Sequence, residues 1–208
     1  MNTFAHLVFN LLTVERPRIF YPWPSFLRVE RAEPLTERLP LAPVVWGALI
    51  PDLPMVVFYA VEKLIFRSSD QYIWDTAYFS DHWSNFIDIF NSIPLIALGF
   101  AICLWRRSRW GWLLFASMFL HVLGDLPLHH DDGHRHLFPL SDWRFESPVS
   151  YWDPNHYGAI VSLIEAIAMF LGCVVLLRSY KSRWGKAAMA VLLALDVLYL
   201  FVLLRGDF

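Results

Sequence analysis

Three residues in the middle of the chain, His121, Asp125 and His129, recur at i, i+4 and i+8. A helix continued through them puts all three on one face. Imidazole and carboxylate side by side present ligands to one cation, and these donors suit Zn²⁺, or else Mn²⁺ or Fe²⁺. The next residues add His130, Asp131, Asp132, His134 and His136, so that six of the eight histidines lie between 121 and 156. Further carboxylates, Asp52, Asp88, Glu165 and Asp196, each interrupt a long apolar run. Charge inside such a run is costly, and groups of this kind usually face a protein interior and serve a function. None of the runs carries Lys or Arg at its middle, so the carboxylates are expected to converge without a cationic partner. Protonation, hydrogen bonding or a bound metal would each relieve that. Asp81, Asn85, Asp88 and Ser92 recur on one helical face, which should point inward. Blander readings stand beside these. The loop histidines can be a solvated surface, His121 and Asp125 a structural pair, Asp196 a helix–helix hydrogen bond, and His6 a structural histidine.

The elements that must position these groups are apolar helices. Apolar residues make up 57% of the 208, against about 45–50% in a soluble domain. They gather into runs of about twenty, the length that crosses a bilayer. The sequence predicts an all-α, polytopic membrane helical bundle with about five spanning helices and a short N-terminal helix. One membrane domain covers 1–208. Within it, 1–42 holds a short helix at 2–14 and a Pro-rich segment that proline density keeps irregular. Residues 43–128 hold three spans, near 43–66, 84–105 and 110–128. Residues 129–156 form a His/Asp-rich outer loop, and 157–208 hold two spans, near 157–177 and 187–204. Pro51 and Pro54 should kink the first span. The N-terminal stretch lacks the features of a signal peptide and is expected to be retained.

The turns at 106–109 and 178–186 share one face and hold seven basic residues. The positive-inside rule makes that face cytoplasmic. The N-terminus is expected on the same side, with the His/Asp loop outward, in a bacterial inner membrane. Net charge is −2, and basic residues occur only in short groups at span ends, which argues against a nucleic-acid partner. Cys103 and Cys173 lie within apolar runs, so a disulfide framework is not expected.

At these residues the chain resembles the bacterial membrane-bound metal-dependent hydrolase family, which is distantly similar to zinc-dependent phospholipase C. That family has an early Thr-His, matched by Ala5-His6. Its Gly-x-x-x-Pro-Asp segment is matched by Gly47 to Asp52, and its His-x-x-x-Asp helix by His121 to Asp125. His129 follows, and Phe138-Pro139 lies after the loop. The likeness covers roughly the first 150 residues, in short islands. It implies a divalent metal held by His6, Asp52, His121, Asp125 and His129. The family's His-Ser on a later helix is replaced by Asn91-Ser92. Asn is a poor metal ligand, and His82 is the candidate to compensate from further out.

These observations lead to an expectation of a metal-dependent hydrolase acting on a phosphoester or lipid-like substrate through a metal-activated water. Asp88 or Asp132 would be the general base. A small ion or metal transporter is one alternative, since carboxylates in kinked spans also line ion paths. A non-enzymatic membrane scaffold with a structural polar or metal centre is the other.

Overall fold

A chain that crosses lipid must satisfy its backbone hydrogen bonds internally, and helices do so. The computed structural model describes residues 1–15 and 40–205, so most of the Pro-rich segment expected at 15–42 lies outside the described residues. Among the described residues all regular structure is helical. The helices are α1 (Thr3–Glu15), α2 (Leu41–Leu49), α3 (Leu53–Ala60), α4 (Asp70–Tyr72), α5 (Asp81–Asn91), α6 (Ile93–Trp105), α7 (Arg109–Asp125), α8 (Gly158–Ser179) and α9 (Arg183–Arg205). Four stretches are long and apolar enough to span a membrane: 81–105, 109–128, 158–179 and 183–203. The pair 41–49 and 53–65, bent by 45°, makes a fifth. This is the helix set of an integral membrane bundle, within a few residues of the expected boundaries.

Two of the five stretches are broken. Between α2 and α3 the chain bends at Pro51-Asp52, as proline in a helix demands, and Asn91 Nδ2 donates to the freed Pro51 carbonyl at 3.1 Å. Between α5 and α6, Ser92 is extended (φ −78°, ψ 116°), and its hydroxyl caps α6 by accepting from Leu95 N at 3.2 Å. The Ile93 amide donates to the His136 carbonyl at 2.8 Å. The contact from Asn91 to Pro51 brings the two breaks together.

The N-terminal helix is not a marginal surface element. Ala5, His6, Val8 and Leu11 of α1 are buried in a core shared with Val44, Leu113, Met169, Cys173 and Leu176. Glycines permit the close approach. A Cβ at Gly172 would stand 2.6 Å from Val8 Cγ1, and one at Gly47 would stand 2.6 Å from Ser117 Cβ. Asn10 Nδ2 donates to the Ser117 carbonyl at 2.9 Å, and Ser117 Oγ donates to the Val44 carbonyl at 2.6 Å. These bonds tie α1, α7 and α2 together.

This packing corrects the expected side of the N-terminus. The helix α1 runs antiparallel to α7, because Asn10 meets Ser117 while the Met1 backbone nitrogen lies 2.6 Å from Asp125 Oδ1. The N-terminus therefore shares an end with the His/Asp loop and lies opposite the basic turns.

The 129–156 loop folds back over that end. Ser147 Oγ donates to the Pro127 carbonyl at 2.6 Å, and Tyr151 N donates to the Leu128 carbonyl at 3.0 Å. The Ser162 hydroxyl of α8 donates to the Tyr151 carbonyl.

Candidate metal centre

The spacing of His121 and Asp125 puts both on the face of α7 that meets α1 and α2. Nδ1 of His121 faces the Ala48 carbonyl at 2.8 Å. A carbonyl only accepts, so Nδ1 carries a proton and Nε2 is left as the free donor atom. That nitrogen lies 3.0 Å from Asp125 Oδ2 and 3.4 Å from Asp52 Oδ1. Neither approach is a hydrogen bond, and Nε2 has no hydrogen-bond partner among the described residues.

His6 arrives from α1, and its ring stacks on that of His121 with centroids 3.5 Å apart and planes 12° apart. Its Nε2 is 2.9 Å from Asp125 Oδ1, while Nδ1 is buried and unpartnered among the described residues. His6 and His121 are fully buried, and Asp125 is 2% exposed. One ligand atom from each of the three lies within 4.8 Å of the others, so the group can hold a metal ion. Asp52 stands beside it at the α2–α3 bend, with Thr3 Oγ1 donating to its Oδ2 at 2.5 Å.

The chemistry of the donor set fits a metal ion. Two imidazoles stacked face to face cannot both be cationic without repulsion. Two carboxylates next to them call for positive charge. Leaving a buried polar atom unpaired costs about 1–3 kcal/mol, and here two such nitrogens sit within one cluster.

His129 lies just beyond α7, with Nε2 3.5 Å from Asp125 Oδ1. Its Nδ1 is 2.9 Å from Asp132 Oδ2, which also accepts from Trp152 Nε1 at 2.8 Å. Burial opposes protonation of His129, but Asp125 and Asp132 outweigh it and hold its pKa up to about 9. Burial likewise pushes Asp132 up, and the hydrogen bond with His129 more than reverses it, so its carboxyl lies below the ordinary value. The two form a paired imidazole and carboxylate at the rim of the centre.

Asp88 departs from expectation. It does not stand without a cation, because Arg135 of the loop reaches in: Arg135 Nε donates to Asp88 Oδ2 at 2.5 Å, and Nη2 to Asn85 Oδ1 at 2.6 Å. The polar stripe of α5 is thus matched by one guanidinium. Scanning the spans for Lys and Arg misses it, since Arg135 lies in the loop. Arg144 adds a second, donating to the Gly133 carbonyl at 2.6 Å and Ser84 Oγ at 2.8 Å.

His82 is not brought to the cluster. It is exposed in the first turn of α5 and packs edge-on to Trp83 at 5.1 Å. Asn91 lies beside Pro51, next to Asp52, with its Oδ1 buried and unpartnered among the described residues. His134 and His136 are buried, while His130 stacks on His156 at 3.6 Å. Asp196 of α9 is not part of the cluster. Thr3, which orients Asp52, had no signal in the sequence.

Comparison with protein-family models, curated proteins and solved structures gives no match.

Proposed function

We propose that the protein is a membrane-embedded metal-dependent hydrolase. Its substrate would be a phosphoester or lipid-like ester that partitions at the membrane surface. The observation that carries this reading is the buried His6, His121 and Asp125 group, joined by Asp52 where two broken spans meet. Zn²⁺ is the ion these donors suit best, with Mn²⁺ and Fe²⁺ next. A metal held there would supply Lewis acidity and a water of lowered pKa.

The roles of the chain's own residues follow from their partners. The two histidines and Asp52 and Asp125 hold the ion. His129, oriented by Asp132 and held protonated at neutral pH, gives the proton to the leaving group. Asp88 is assigned no part in proton transfer, because its oxygens are already engaged by Arg135. Arg135 and Arg144 shape the loop over the centre. The excess of Lys and Arg in the turns after α6 and α8 supports a cytoplasmic basic face. The N-terminus and the loop would then face outward from a bacterial inner membrane.

The test is elemental analysis of detergent-purified protein, wild type beside His121→Ala/Asp125→Ala and His129→Asn. About one equivalent of a transition metal is expected in the wild type and in His129→Asn. None is expected in the double variant. Turnover of phosphoester or carboxylester probes should be lost in both variants. Absence of metal from the wild type after reconstitution with Zn²⁺ and Mn²⁺ would overturn the assignment. Bound metal with no turnover of any probe would make the centre structural.

A further inference from the structure

A groove between α1, α8 and α9 runs beside the metal centre. It encloses about 260 Å³, with apolar walls that include Phe4, Met169, Leu195 and Leu198. Phe4, Leu195 and Leu198 are 41%, 42% and 59% exposed. They lie on the outer surface of the bundle, and both α8 and α9 are spanning helices. The groove therefore opens sideways to lipid.

Polar groups of three residues break its apolar lining, Asn2, Asp196 and the Tyr199 hydroxyl. Asp196 is 3% exposed, and its Oδ2 has no hydrogen-bond partner among the described residues. A buried carboxylate oxygen left without a partner in a spanning helix is costly, so a ligand that satisfies it gains affinity. Asn2 connects the groove to the centre. Its backbone N–H donates to Glu165 Oε1 at 2.6 Å, and the preceding residue, Met1, reaches Asp125. Pockets for drug-sized ligands measure about 300–1,000 Å³, so a groove of about 260 Å³ suits a segment of one chain and not a whole two-chain lipid.

We propose that this groove receives one acyl chain of a membrane amphiphile whose polar part carries a hydroxyl or amide N–H for Asp196. Such a donor pairs with the carboxylate when it is ionised. A hydroxyl or an amide also pairs with it when it is protonated, since both accept as well as donate. The apolar walls hold the chain, and the head turns toward Asn2 and the metal centre. The inference rests on the hydrolase reading for the fate of the head, and it names the substrate class of that reading as single-chain amphiphiles bearing such donors.

Binding is measured on chelator-treated full-length protein in nanodiscs, where turnover does not enter. A diazirine-bearing monoacylglycerol is photo-crosslinked and the adducts are mapped by mass spectrometry. Adducts are expected in residues 2–7 and 195–199. Monoolein should displace the probe at about tenfold lower concentration than methyl oleate, which has no donor; one hydrogen bond is worth about that factor. Asp196→Leu should abolish the preference, and Asp196→Asn should retain most of it. Adducts spread evenly around the lipid-facing surface, equal displacement by the two competitors, or an unchanged preference in Asp196→Leu would each overturn the proposal. Failure here leaves the metal content of the centre untouched, and a wild type that binds no metal leaves the groove result standing.

Discussion

Asp125 is approached by imidazoles from three parts of the chain: His121 within its own helix, His6 from α1 and His129 from the loop edge. Each contact is individually ordinary. Together they concentrate imidazole and carboxylate groups where water is excluded. The loop histidines are not equivalent to these. Burial, followed by the neighbouring His134, lowers the pKa of His136 to about 4. His136 is thus neutral in the folded protein at neutral pH, while the unfolded side chain titrates near the ordinary value of about 6.5. With a depressed folded value, its contribution to stability is present above pH about 6.5. It is lost as pH falls through that value toward about 4. Thermal unfolding in detergent at pH 7.5 and pH 5 should show this. His136→Asn should lose less stability between the two pH values than the wild type, by on the order of 1–2 kcal/mol. An identical acid response in the two proteins would exclude His136 as a source of it.

At the scale of elements, the centre depends on how closely α2 and α7 approach. Gly47 faces Ser117 at a separation that leaves no room for a Cβ. One residue on, Ala48 supplies the carbonyl that fixes His121. Gly47→Ala should force the helices apart, at a cost of about 1–3 kcal/mol for overpacking. It should also loosen the orientation of His121 and weaken metal binding. Metal content and melting temperature measured together test this. A variant as stable as the wild type, with full metal, would show that the helix separation does not control the site. The broken helices matter in the same way. The Pro51 bend and the extended Ser92 free backbone groups that Asn91 and His136 satisfy. The loop is thereby fastened into the bundle at the level of Asp52.

At the scale of the whole molecule, the chain separates its charges by end. The basic turns lie at one end, and the N-terminus, Asp125 and the His/Asp loop lie at the other. Labelling with a membrane-impermeant maleimide in intact cells checks the orientation. In a background with Cys103 and Cys173 replaced, Ser141→Cys should react from outside, and Lys181→Cys should react only after permeabilisation. The reverse pattern would turn the molecule over and put the loop on the cytoplasmic side.

The sequence by itself determined the spans, because lipid imposes a length and an apolar composition that any single segment displays. It also determined that His121 and Asp125 share a face, since helical periodicity is a local property. The Pro51 kink was legible for the same reason. Only the tertiary structure decided which faces meet. His6 lies 119 positions from Asp125 and reaches it because α1 packs inside the bundle. Arg135 pairs with Asp88 across 47 positions because the loop folds back onto α5. Periodicity specifies the face each helix presents and carries no record of the partner. That choice belongs to side-chain volume at close crossings such as Gly47 and Gly172, and to polar groups that find their complements only when the helices are assembled.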